Sequence, residues 1–287
     1  MKIADILRQN KVVISFEMFP PKKWEGLEKT KQTARRMAAL GPDFMSVTYG
    51  AGGGASDFTV SVAEEIGRQG IPALAHLTCV SAGRGKIDEV IGQLQEKKIE
   101  NILALRGDLP ADGDFVLPEN FSHATDLIAY IKSKGDFCIG AACYPTGHPE
   151  AASMEADLEY LRRKQELGAD FLTSQLFYDN RLFYEFRDRA RGAGITVPIL
   201  AGIMPITTAS QIERTIELSS TAVPEHFRRM LERYQGNTES MRQAGILYAV
   251  SQIADLLANG QNDIHIYAMN KPDVVMDIMA LLRPLIL

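Results

Sequence analysis

Eight short apolar runs recur along the chain, and each stops abruptly at charged, glycine or proline residues. They are Val12 to Phe16, Phe44 to Val47, Ala73 to Leu77, Ile102 to Leu105, Phe137 to Cys143, Phe171 to Leu176, Val197 to Ile203 and Ile264 to Tyr267. Short and largely apolar, they predict strands buried on both faces, as in a parallel sheet. Stretches with helical spacing fall between them: Leu27 to Ala39, a helix capped by Ser56 or Asp57, Lys86 to Lys98, His123 to Lys134, Met154 to Leu167, Leu182 to Ala193 and Lys271 to Leu282. A short amphipathic helix within Met1 to Lys11 precedes the first strand. Thr208 to Asn259 is longer than one crossover requires and holds two or three helices, broken at Pro224 and Gly236. Eight β-then-α units without consecutive strands predict an α/β fold, a single-domain (β/α)₈ barrel over residues 1–287 with extra helices between strands seven and eight. An open doubly wound sheet is the alternative.

Charge begins where the strands end. In Asn101 to Pro110 the apolar run meets Arg106, Gly107, Asp108 and Pro110. Taken alone this is as well explained by a capped strand with Arg106 and Asp108 paired on the surface. The pattern recurs, however: Glu17, Thr48, His76, Tyr144, His148 and Gln175 also stand at or just beyond strand ends, and a barrel gathers all of them at its carboxyl-terminal face, where this fold places active sites. Phe16, Met18, Phe19 and the prolines after them are expected to keep water from Glu17, which penalises the carboxylate and raises its pKa, as suits a general acid. An ion pair with Lys22 or Lys23 is the bland reading. Asp108 beside Arg106 is expected to stay ionised.

Composition narrows the partners. A net charge of -5 without a Lys/Arg stripe argues against nucleic acid. Cys79, Cys138 and Cys143 are dispersed, and the two in a predicted strand, Cys138 and Cys143, read as small buried hydrophobes; the five histidines include no metal-ligand spacing. No apolar run reaches the roughly 18 residues of a membrane span, and the first residues lack a secretory core; a cytoplasmic location is expected. The run Gly50 to Ala55 fits a loose dinucleotide pattern, but His76 and Thr78 stand where an acidic ribose ligand belongs. A loop that lets the backbone pass close to a flat ligand fits better.

Six ordered motifs carry a resemblance: Phe16-Glu-Met-Phe-Pro-Pro-Lys22, Ser46-Val-Thr-Tyr-Gly50, His76-Leu-Thr78, Ala104-Leu-Arg-Gly-Asp-Leu-Pro110, Ala142-Cys-Tyr-Pro145 with His148-Pro-Glu150, and Gln175-Leu-Phe-Tyr-Asp179. Together they closely resemble bacterial methylenetetrahydrofolate reductase over nearly the whole chain. The resemblance implies an FAD flavoprotein, expected to be homo-oligomeric, that passes a hydride from NAD(P)H or another donor to 5,10-methylenetetrahydrofolate. It implies Glu17 as the acid that opens the folate ring, Asp108 between flavin and folate, and Gln175 on the pterin. FAD contacts are implied for Thr48, His76, Arg106, Gly107, Asp108, Ala142, Tyr144, His148, Asp157, Arg163 and Lys164, with Arg163 or Lys164 meeting the pyrophosphate. His123 stands where the family often has a tyrosine. A methyltransferase barrel handling folate or a corrinoid, and a silent folate-binding subunit, are the other readings; a flavin absorption spectrum separates them from the reductase.

One departure generates a prediction. The family commonly has a phenylalanine about four residues after the proline that ends strand seven, where its ring lies against the folate or nicotinamide; this chain has Ala209. An aromatic wall is worth about 0.5–1.5 kcal/mol beyond its burial, so its loss is expected to weaken nicotinamide binding by up to roughly tenfold. NADH should therefore reduce the flavin poorly, with a partner protein as donor, and Ala209→Phe should improve it in anaerobic mixing. Fast wild-type reduction at micromolar NADH, with no gain from the phenylalanine, would strip the departure of meaning.

Overall fold

The computed structural model describes residues 1–9, 11–49, 55–80, 82–108, 121–208, 210–211, 215 and 223–286. Strands β1 (Val13–Met18), β2 (Phe44–Val47), β3 (Ala73–Thr78), β4 (Asn101–Leu105), β5 (Cys138–Cys143), β6 (Phe171–Ser174), β7 (Ile199–Ile203) and β8 (Asp263–Tyr267) are parallel. Each pairs with the next, and β8 pairs with β1, so the sheet closes into a barrel. The expected (β/α)₈ fold is the observed one.

Around the barrel run α2 (Leu27–Ala38), α3 (Ala55–Arg68), α4 (Arg84–Glu96), α5 (Ala124–Lys134), α6 (Met154–Glu166) and α7 (Asn180–Gly192). The crossover from β7 to β8 contains α8 (Glu225–Tyr234) and α9 (Thr238–Ala258), and α10 (Pro272–Ile286) ends the described chain. Pro224 is the N-cap of α8, and Gly236 lies between α8 and α9. These two helices pack Phe227, Leu231 and Met241 against Leu176, Tyr178 and Ile206 beyond β6 and β7. Gly245 on α9 permits that approach, since a Cβ there would stand 1.6 Å from the Ile206 carbonyl oxygen.

Side chains alternate along each strand, and the alternation divides the core. Ile14, Phe16 and Met18 point outward into the main cluster between strands and helices. Val13, Phe44, Leu74, Leu103, Cys138, Phe171 and Leu200 point inward and fill the lower barrel. The short helix α1 (Ile3–Leu7) plugs this end with Ile3, Ile6 and Leu7.

Several boundaries differ from the sequence expectation. The first strand runs on through Glu17 to Met18, because Glu17 pairs in register with Ser46 and Tyr267. Ser56 and Asp57 do not cap α3: the helix already begins at Ala55, and Asp57 sits in its first turn, where a carboxylate complements the dipole. The last helix continues to Ile286, since Pro284 falls in its final turn, where fewer backbone bonds are at stake. All three cysteines are buried and free.

The plug is tied to the barrel by one buried amide. Asn101 Oδ1 accepts from the Ile3 N–H at 2.8 Å, and its Nδ2 donates to the carbonyls of Met1 and Ala73, each at 3.2 Å. Asn101→Leu, similar in shape, leaves a buried donor unpaired and should cost about 1–3 kcal/mol in chemical denaturation; unchanged stability would show that the plug needs no such tie.

Candidate active site

Glu17 is 8% exposed, yet not for the reason its sequence neighbours suggest. Phe16 and Met18 face the helices on the other side of the strand, and Phe19 is exposed. The shielding comes from the barrel interior. His76 on β3 brings Nε2 to 3.5 Å from Glu17 Oε2, and His265 on β8 brings Nε2 to 3.7 Å. Ser15, two residues below Glu17, places its hydroxyl 2.7 Å from His265 Nδ1 and donates to the Ile264 carbonyl at 3.2 Å. Glu17 thus lies between two imidazoles, and among the described residues it makes no ion pair with Lys22 or Lys23, which are exposed. His76 Nε2, although close, has no hydrogen-bond partner among the described residues.

Tyr267, inward-facing beside Glu17, donates to the Ser174 carbonyl at 2.6 Å, and burial holds its hydroxyl well above the usual range. Tyr144 follows β5, its hydroxyl pushed up to about 12 by burial, with Asp108 and Arg106 acting on it in opposite senses.

At the rim, Arg106 is not paired with Asp108 as the sequence suggested. Glu150 takes the guanidinium bidentately, at 2.5 Å to Nη1 and 2.7 Å to Nη2, while Asp108 is exposed. A fork-to-fork pair of this kind is the geometry that best matches guanidinium to carboxylate, which is why it wins over a sequence neighbour. Gly107 makes the turn between them with φ +91, and a Cβ there would meet Val80 at 2.8 Å. Glycine is required on both counts.

The loop after β5 is braced from α6. The buried Asp157 carboxylate accepts the His148 N–H at 3.0 Å, and His148 Nδ1 accepts the Glu150 N–H at 3.1 Å. Burial lowers the His148 pKa, which keeps that nitrogen an acceptor, and burial raises Asp157 against the pull of the His148 N–H. Lys164 shares a helix face with Asp157, but its ammonium donates to the Ala142 carbonyl at 2.8 Å, and burial lowers its pKa. Arg163 is exposed on another face of α6. The expected pair for a pyrophosphate is therefore split: Lys164 is committed to the backbone of β5, and Arg163 alone reaches solvent.

Thr48 and Gln175 lie half-buried just past β2 and β6. The Gln175 side-chain oxygen folds onto the Leu176 N–H at 3.0 Å, and its amide nitrogen makes no hydrogen bond among the described residues. His123 is the N-cap of α5, its ring stacked on Tyr160 with centroids 6.1 Å apart. Ala209 and the run 50–54 lie outside the described residues.

A cleft of about 650 Å³ opens at the opposite end of the barrel, lined by Lys11, Asp43, Arg68, Lys97 and Asn101 among others. Its charges are neutralised locally by Lys11–Asp43, Arg68–Glu64 and Lys97–Glu64 pairs. His76, Tyr144 and Tyr267, all perturbed by burial, gather with Glu17 at the carboxyl-terminal end, which is therefore the candidate site. Among the described residues no three His, Cys, Asp or Glu side chains are grouped to hold a metal ion. None of the described helices is long and apolar enough to cross a membrane.

Residues 2–283 match the methylenetetrahydrofolate reductase family. The chain belongs to that family. It is 36% identical to the 5,10-methylenetetrahydrofolate reductase of Pectobacterium carotovorum subsp. carotovorum, covering 93% of this chain and 88% of that one. Against the Escherichia coli protein of the same name the identity is 34%, with 93% and 89% covered. The maize methylenetetrahydrofolate reductase (NADH) 1 is 38% identical, but the chain spans only about half of it, 48%. A Clostridium thermocellum protein described as binding two copies of 5-methyl-5,6,7,8-tetrahydrofolic acid superposes with a TM-score of 0.66 over 99% of both chains; at 13% identity this is a likeness of fold.

The family motifs thus map onto one end of the barrel, but His265, Ser15 and Glu150 were not singled out from the sequence for a role. His265 and Tyr267 alternate with Ile264 and Ile266, and that period of two was the available signal for an inward polar face.

Burial pushes the His76 imidazole down to about 4, against the pull of Glu17. Between about pH 6.5 and that value the unfolded chain carries a proton here that the folded chain does not, so stability falls as pH drops through the window. At about 1.36 kcal/mol per unit the loss approaches roughly 3 kcal/mol. Asp263, pushed up to about 6 by burial, gives an opposite slope, so the readout is a difference between proteins. Chemical denaturation should show His76→Gln gaining on wild type between about pH 7 and about pH 4; a difference that does not vary with pH would mean that His76 is not held neutral.

Proposed function

We propose that this chain is a flavin-dependent 5,10-methylenetetrahydrofolate reductase that uses FAD and forms 5-methyltetrahydrofolate. The observation that carries the reading is a carboxyl group buried at the floor of a polar, aromatic-walled mouth, in a chain of this family. The mouth fits a flavin: it offers the Arg106 guanidinium, the Tyr144 ring, the backbone turn at Gly107 and a buried His76 Nε2 that has no hydrogen-bond partner among the described residues. Bound there, FAD supplies hydride transfer from NAD(P)H or another reduced donor to the folate.

The chain's own residues supply binding and proton chemistry. Glu17 gives its proton to the ring nitrogen that leaves the bridging carbon. The carbon–nitrogen bond breaks, and the other nitrogen's lone pair forms the electrophilic iminium on the folate. His76 and His265, inward-facing in the barrel, flank the carboxyl on two sides. Asp108, at the rim, favours the cationic folate electrostatically. The free amide nitrogen of Gln175 is suited to the pterin, and Arg106 to negative charge on a reduced flavin. Thr48, Ala142, His148 and Asp157 line or brace the same mouth; Arg163, rather than Lys164, is the cation free to meet a pyrophosphate.

Rapid mixing separates the two half-reactions. Glu17→Gln should leave flavin reduction by the electron donor near wild type and slow reoxidation by methylenetetrahydrofolate about 10²- to 10⁴-fold. Equal slowing of both halves would mean that Glu17 only holds the site together.

A further inference from the structure

Glu150 is the charged group at this mouth that the reaction above does not use. Its carboxylate grips both terminal nitrogens of Arg106, while Nε of the same guanidinium donates to the Gly107 carbonyl at 3.3 Å. A guanidinium has five N–H donors, so three are engaged and two remain for a ligand, in a plane the carboxylate has fixed. The contact holds Arg106 above its usual pKa and Glu150 below its own, so both partners are charged.

The loop presenting Glu150 is itself located. Its N–H is held by His148 Nδ1, the His148 N–H is held by Asp157 on α6, and the Tyr144 ring packs edge-on against His148 with centroids 4.7 Å apart. Contacts thus run from α6 through the loop after β5 to the guanidinium at the end of β4. The Glu150 side chain is 53% exposed, so the pair adds little to folding stability. What it changes is the direction of the guanidinium and the charge Arg106 presents.

We propose that Glu150 is a positioning residue for Arg106: it fixes the guanidinium plane at the mouth and cancels part of its charge, and so sets how far the site favours a reduced, negatively charged flavin. This rests on the flavin reading above.

Redox titration of FAD-loaded Glu150→Gln and Glu150→Asp tests it. Glutamine keeps the shape and removes the charge, so at a fixed poise the ratio of reduced to oxidised flavin should rise roughly tenfold, about 30 mV for a two-electron couple. Aspartate keeps the charge and should stay near wild type. An unchanged ratio in Glu150→Gln that binds FAD as wild type does, or equal shifts in both variants, overturns the assignment and leaves the functional reading standing. Wild type that takes up no FAD overturns both. In an Arg106→Ala background the glutamine shift should vanish; its persistence means the carboxylate acts on the flavin directly, which also overturns the role through Arg106.

Discussion

A carboxyl group inside a closed barrel is the constraint on which the upper half of this structure depends. Moving a carboxylate out of water is expensive unless it is paired or hydrogen-bonded, and Glu17 sits in a strand paired on both sides. Side chains from adjoining strands must therefore meet it. Register supplies them: Glu17 is level with Tyr267 and Ser46, and Ser15 below it is level with His265. Beneath this polar layer the inward side chains of the lower barrel and the α1 plug form an apolar floor. Solvent and ligands reach Glu17 from one direction only.

The rim obeys different physics. Strands hold Glu17, His76 and His265 on rigid backbone, whereas Arg106, Asp108, Tyr144, His148 and Glu150 stand just beyond strand ends, where loops are held by individual contacts. The turn at Gly107 and the brace from Asp157 take the place of the ladder there. A proton donor belongs on the rigid part, because its distance to the reacting atom must be held closely. Charge that modulates a ligand tolerates the looser part, since electrostatic effects fall off slowly with distance.

The barrel was legible because each strand is a short apolar run and each break is chemical, as at Arg106-Gly107-Asp108. The site's candidates were legible as polar residues at those breaks, and six motifs implied roles for them by resemblance. Partners were not legible. Glu17 looked shielded by Phe16 and Met18, but neighbours in a strand face opposite sides, and its true companions, His76 and His265, are distant in sequence. Arg106 was set against Asp108, two residues away, when the matching carboxylate comes from the next βα loop. Lys164 and Arg163 looked interchangeable, although one helical step separates a buried ammonium from an exposed guanidinium. In each case the residue could be singled out from the sequence, and its pairing waited on closure of the barrel.

Whether the polar mouth, and not the cleft at the other end, is the working site is the claim on which all the chemistry rests. The most direct measurement is a crystal structure of the protein saturated with FAD. Flavin density at the carboxyl-terminal mouth, with its ring system beside Arg106 and above Glu17, is the predicted result. Density in the cleft bordered by Lys11, Arg68 and Lys97, with the mouth empty, would contradict it.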